Sequence, residues 1–143
     1  MAHVQRSIAI KAPREKVYEY ITDPMSSEEW SPGTEKVVDV VGKGVGRRDK
    51  WVYKMAGMKF NGESVVQEME YPDHYVLESV AGIMSKWIFN LEKYYDGDTK
   101  LNLDVEYTIP IPVLGKMAER VILGQNEKIA DEIMNNIKSK MER

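Results

Sequence analysis

Few residues in this chain have the type and spacing that catalysis requires. His3 and His74 stand near a terminus and a turn, in no spacing such as H-E-x-x-H that would set two imidazoles on one metal. There is no cysteine, which removes thiolate metal sites, disulfides and thiol nucleophiles. No G-x-S-x-G elbow is present. Gly42-Lys43-Gly44-Val45-Gly46 is glycine-rich, but it lacks the lysine–hydroxyl pair of a phosphate loop and the order of a dinucleotide fingerprint, and it reads as a turn. No metal or cofactor is implied.

The chain does carry aromatic residues at alternate positions: Trp51 with Tyr53, Trp87 with Phe89, and Tyr107. On strands they share one face. There they line a pocket for a flat or greasy ligand, with the tyrosine hydroxyls as polar handles, or they fill a core. Asp49 has the same parity. Pointing inward, it would be an acid in apolar surroundings, with a raised pKa and a use in proton transfer. The reading favoured here is plainer: a strand-end acid paired with Arg47 or Arg48. Met55, Met58, Met84, Met117 and Met134 are inner-face candidates, as flexible lining or as filler for an irregular core.

The elements that must hold these residues follow from periodicity. Val4, Ile8 and Ile10 share one parity and predict a half-buried strand. Pro13 suits the first position of a short helix over Pro13–Thr22, with Val17 and Ile21 as its apolar stripe. Asp23-Pro24 stops it. Ser26-Ser27-Glu28-Glu29 has capping-box spacing and predicts a second short helix, followed by Trp30 and a Pro32-Gly33 turn. Strands are then expected over Glu35–Val41, Arg47–Ala56, Met58–Glu70, His74–Val80 and Met84–Tyr95. Asp96-Gly97 marks a hairpin, after which Leu101, Leu103, Val105, Tyr107 and Ile109 alternate with polar residues. Pro110 and Pro112 hold an extended link.

From Val113 to Met141 the apolar residues recur at steps of three and four, so one long helix is expected, roughly 40 Å at 1.5 Å per residue. Gly124 interrupts its interior beside Gln125 and Asn126. A glycine there is explained if the helix bends or leaves room, and we place the widest part of a pocket against Gly124, facing Trp51, Tyr53 and Trp87. One-sided alternation gives the sheet one wet face, and the long helix is the partner left for the other. The expected class is α+β: about seven curved antiparallel strands wrapped around a long C-terminal helix, with two short helices after the first strand.

At 143 residues, with 43% hydrophobic and 30% charged residues, the chain is expected to be one domain, residues 1–143. Its net charge of -3 gives no field for nucleic acid. No signal peptide and no stretch of ~20 apolar residues is seen, so a soluble cytoplasmic protein without a membrane segment is expected. The oligomeric state is not set by the sequence.

The run Ser7-Ile8-Ala9-Ile10-Lys11-Ala12-Pro13-Arg14-Glu15-Lys16-Val17-Tyr18-Glu19-Tyr20-Ile21-Thr22-Asp23-Pro24, then Trp30-Ser31-Pro32, together with the element order, resembles the START and birch-pollen-allergen superfamily, the helix-grip fold. The likeness is greatest to its polyketide cyclase/dehydrase and lipid-transport branch and covers essentially the whole chain. The resemblance implies a deep apolar cavity between sheet and helix, entered near the short helices and hairpin loops. The expected contacts for a ligand are Trp30, Trp51, Tyr53, Trp87, Phe89, Tyr107, Val121, Gly124 and Gln125. The leading reading is a START-like, non-enzymatic binding or transport protein whose partner is a hydrophobic small molecule, lipid- or polyketide-like. The alternatives are a polyketide cyclase, aromatase or dehydrase using Asp49, Tyr53, Tyr107 or Gln125 to move protons, and a protein-interaction module of the co-chaperone kind.

Overall fold

Alternating strands and the turn residues between them produce one antiparallel sheet. The computed structural model describes residues 2–55, 57–108 and 116–143, with the side chains of 2 and 116–123 set aside. In chain order the elements are β1 (Ala2–Ile10), α1 (Arg14–Thr22), a 3-10 turn at Pro24–Ser26, α2 (Ser27–Trp30), β2 (Thr34–Val41), β3 (Arg48–Met55), β4 (Met58–Glu70), β5 (His74–Ala81), β6 (Ser85–Tyr94), β7 (Asp98–Tyr107) and α3 (Lys116–Met141). The seven strands lie in the order β1-β7-β6-β5-β4-β3-β2, each antiparallel to its neighbour. This is the helix-grip arrangement, in the α+β class.

β7 is the most regular strand. Leu101, Leu103, Val105 and Tyr107 are buried, and the residues between them stay partly wet. The turn before it forms because Asp96 (φ 37°) and Gly97 (φ 90°) both adopt left-handed backbone, and the Asp98 N–H then donates to the Tyr95 carbonyl at 2.7 Å. β2 is an edge strand. It is kinked at Asp39 (φ 52°), with Val38, Val40 and Val41 exposed.

On α3 the expected phase holds where side chains are described. Ala130, Ile133, Met134, Ile137 and Met141 are buried, while Glu127, Lys128 and Asp131 are wet. The helix lies along β1 and is fixed there by polar contacts: Arg6 Nε to the Asp131 carboxylate at 2.8 Å, Lys138 Nζ to the Ala9 carbonyl at 2.8 Å, and the Lys11 N–H to the Glu142 carboxylate at 2.8 Å. The expected start at Val113 and the Pro110–Pro112 link lie outside the described residues.

Two local expectations change. Pro13 is the N-cap of α1 rather than its first residue. The Ser26 capping box does not form. The Ser26 hydroxyl donates to the Asp23 carbonyl at 2.7 Å and accepts the Trp30 indole N–H at 2.9 Å, while the Asp23 carboxylate takes the Met25 N–H at 3.0 Å. Seating Trp30 prevails over capping, because a buried indole N–H needs a partner.

Candidate ligand site

Between the concave sheet and α3 lies a cavity of about 160 Å³. A dry apolar cavity of about 150 Å³ is enough to take up benzene. One wall is aromatic. Trp51 and Tyr53 of β3 meet edge to face with centroids 6.5 Å apart, and Trp87 of β6 lies 6.0 Å from Trp30 of α2. Trp51 sits over Gly62, its cross-strand partner on β4. A Cβ at Gly62 would fall 2.0 Å from the Trp51 ring and 2.5 Å from the Ala81 carbonyl, so only glycine admits that indole. On the opposite side Asn126, Ile129, Ala130 and Ile133 of α3 line the space, and Asp23, Pro24 and Ser27 border it between the short helices.

The register sets a polar row across this face. Asp49 pairs with Ser64, Ser64 with Ser79, Ser79 with Ser85 and Ser85 with Tyr107, and all five line the cavity. The Trp51 indole donates to the Ser64 hydroxyl at 2.9 Å and the Trp87 indole to that of Ser85 at 3.1 Å. Ser79 instead donates to the Ile83 carbonyl at 2.5 Å. Three serines in facing positions are small, so the cavity opens along this row. The neighbouring row, Val4–Val105–Trp87–Leu77–Val66, is apolar.

At the β3 end two charged groups are buried. Gly46 (φ 91°) lets the loop turn inward, with its N–H on the Val66 carbonyl at 2.8 Å, and this delivers Arg47 to the interior. The guanidinium donates to the Thr22 carbonyl at 2.8 Å and to the Tyr75 hydroxyl at 3.0 Å, while its Nε has no partner among the described residues. Asp49 is 7% exposed. Burial pushes its carboxyl up to about 6; Arg47 opposes that shift and Glu63 adds to it. Burial likewise pushes the Tyr75 hydroxyl up to about 12, with Arg47 again opposing. At the β7 end the Tyr107 hydroxyl is buried with no hydrogen-bond partner among the described residues. Its pKa is raised by burial, and nearby Asn126 works against the rise. The Tyr53 hydroxyl is raised by burial and, to a lesser degree, by Tyr107, and both residues line the cavity.

Of the expected contacts, Trp30, Trp51, Tyr53, Trp87 and Tyr107 border the cavity. Phe89 does not. It is fully buried in the layer beneath, stacked between Tyr75 (centroids 5.9 Å apart) and Trp87 (6.4 Å). Gly124 and Gln125 are on the solvent side, and no described atom lies within 4 Å of where a Gly124 Cβ would stand. The expected widening at Gly124 is therefore corrected: Asn126, four residues before Ala130, is the one turned inward. The Val121 side chain lies outside those described. Met55 lines the cavity and Met134 is in the core, whereas Met58 and Met84 are exposed. The side chain of Met117 is also outside those described. Asp49 points inward, and no ion pair within 4 Å joins it to Arg47 or Arg48; Arg48 pairs with Glu63 at 3.2 Å. The favoured sequence reading of Asp49 is thus overturned. Sequence reasoning missed the inward Arg47 and the serine row. The glycine at 46 was the available signal for the first.

This fold has known counterparts. The chain matches the family described as "Polyketide cyclase / dehydrase and lipid transport" over residues 1–142, and it belongs to that family. Among solved structures it is similar to a protein from Thermus thermophilus, at 17% identity over 98% of this chain and 97% of that one, with a TM-score of 0.83. It is similar to the Zhui aromatase/cyclase from a Streptomyces species, at 16% identity over 99% and 94% of the two chains, with a TM-score of 0.76. A START superfamily protein from Mycobacterium smegmatis is 14% identical over 98% and 97%, with a TM-score of 0.72. At these identities the likeness is one of fold. A comparison with curated protein sequences finds no match. Among the described residues no helix is long and apolar enough to cross a membrane.

Proposed function

We propose that this protein binds a small hydrophobic molecule in the cavity between sheet and helix. The observation that carries the reading is a cavity of about 160 Å³ with aromatic walls and an internal polar row. Family membership agrees with it. Magnitudes narrow the ligand: burying ~150 Å² of ring surface at ~25 cal/mol per Å² contributes ~4 kcal/mol before ordering costs, which is a dissociation constant near 1 mM. A bare ring is held weakly, so useful affinity draws on the polar groups as well. The test is calorimetric titration with the neutral single-ring probe propylbenzene. Saturable one-to-one binding that is lost in Gly62→Ala supports the reading. Unsaturable binding, or binding untouched by that variant, removes it.

A second reading, acid–base chemistry of the cyclase kind, is favoured by Asp49 alone. A cavity carboxyl with its midpoint at about 6 exchanges protons near neutral pH. Deuterium exchange at the central carbon of 1-phenylbutane-1,3-dione tests it. The carboxylate takes the carbon proton and solvent returns a deuteron, and the protein's acceleration should vanish in Asp49→Asn.

A further inference from the structure

Resting on the binding reading above, we propose that the cavity selects a neutral ligand bearing a hydroxyl, a phenol or an alcohol, which it docks between Arg47 and Asp49, and that it rejects a carboxylate of the same shape. Both side chains line the cavity and are more than nine-tenths buried, at 8% and 7% exposure. Arg47 is held in place by the Thr22 carbonyl and the Tyr75 hydroxyl, and this leaves its Nε–H unspent and out of water. Asp49 receives no hydrogen bond from any described residue and does not close on Arg47 within 4 Å. A buried donor without a partner and a carboxylate open to the cavity thus stand two residues apart, Arg47 just before β3 and Asp49 within it.

The chemistry of that pair discriminates. A hydroxyl accepts from one group and donates to another, so a ligand hydroxyl can serve the cavity-facing side of the Arg47 guanidinium and the Asp49 carboxylate, both of which line the space. A carboxylate satisfies Arg47 but brings a second negative charge against Asp49 in a desolvated space. An ammonium satisfies Asp49 and meets the Arg47 charge. With both groups ionised the site already sums to zero, so a neutral ligand leaves it balanced and an ion of either sign does not. Glu63 from β4 adds negative potential at Asp49, which disfavours an anion further; Tyr75 bonds Arg47, and Asp23 and Tyr53 are further titratable groups lining the same cavity. Beside them the Ser64 hydroxyl takes the Trp51 N–H and keeps its own hydrogen, continuing a neutral polar edge rather than an anion-binding one. The volume fits one substituted ring.

Calorimetric titration with four probes of one shape tests this at about pH 7.5, where Asp49 is ionised: 4-propylphenol, 4-propylbenzoate, 4-propylbenzylamine and propylbenzene. The wild type should bind the phenol about ten-fold more tightly than either ion. In Asp49→Asn the preference over the benzoate should shrink to within about three-fold, because the Arg47 charge is then uncompensated. Propylbenzene reports on the cavity itself in both proteins. A benzoate that equals or exceeds the phenol in the wild type overturns the proposal. So does a preference that survives in Asp49→Asn. If propylbenzene binds as tightly as the phenol, the cavity stands and the head-group assignment falls. If none of the four binds, the binding reading falls and takes this proposal with it.

Discussion

Under the last turns of α3, the strands present Ile8, Leu101 and Leu91 in one cross-strand row and Leu103, Phe89 and Tyr75 in the next; Leu101, Leu91 and Phe89 are buried away from the cavity, and Leu103 and Tyr75 reach its margin. Farther along the same strands, facing Asn126 to Ile133, the row is Tyr107, Ser85, Ser79, Ser64 and Asp49, and a cavity lies above it. Both regions belong to one sheet face and one helix. They differ in side-chain volume per row. Aliphatic and phenyl groups reach the helix and exclude water, whereas serines stop short and leave the larger rings at the margins to wall a space. An internal site here is a matter of where small residues fall in register, not of a separate structural device.

The sealed end should be the more fragile to charge. Ile137 is fully buried there, and Ile137→Asp should cost more than ~4 kcal/mol, measured by chemical denaturation, because it strands a carboxylate among apolar groups. Its neighbour Lys138 only bonds the Ala9 carbonyl and Glu142, and Lys138→Asp should cost ~1 kcal/mol. Equal losses would mean that the two regions are not distinct in packing. At the open end, Gly62→Ala should cost ~2–3 kcal/mol and abolish propylbenzene binding, since the new Cβ displaces Trp51 into the cavity. Retained binding would place the ligand elsewhere.

A smaller effect separates the regions by pH. The folded protein holds the Asp49 proton up to about 6, above the usual 3.8, so it binds that proton more tightly than the unfolded chain does. Its share of stability is therefore present below about pH 4 and is lost as pH rises to about 6. Relative to Asp49→Asn, the wild type should lose roughly 1–2 kcal/mol across that interval in urea titrations, allowing for solvent in the cavity. No difference in slope would return Asp49 to a wet position. Gly124→Ala should change least, gaining ~1 kcal/mol from helix propensity with ligand binding unaltered.

The strands and their inner parity were legible because alternation is a local property, and the aromatic wall came with them. The cavity was less so. That Asp49, Ser64, Ser79, Ser85 and Tyr107 form one row depends on which residue of each strand faces which, and a β-bulge between Val66 and Glu68 shifts that pairing by one. Gly124 misled because an unusual residue drew attention from the simpler signal. Counting back in fours and sevens from Ala130 and Ile133 reaches Asn126. Arg47 was hidden because a guanidinium is expected in water, and the loop bonds that turn it inward are tertiary.

The sheet order bears on how the chain assembles. β2 to β7 form a meander in which each strand pairs with the one just made, so every closure is short and entropically cheap. β1 breaks this pattern. Ala2 pairs with Tyr107, 105 residues on, and α3 rests chiefly on β1. Joining the two ends of the chain is thus the long-range step, and the concave face can receive its helix only once β1 is in place. Folding rate should therefore respond to changes in the β1–β7 pairing and in α3 more than to changes in the hairpins.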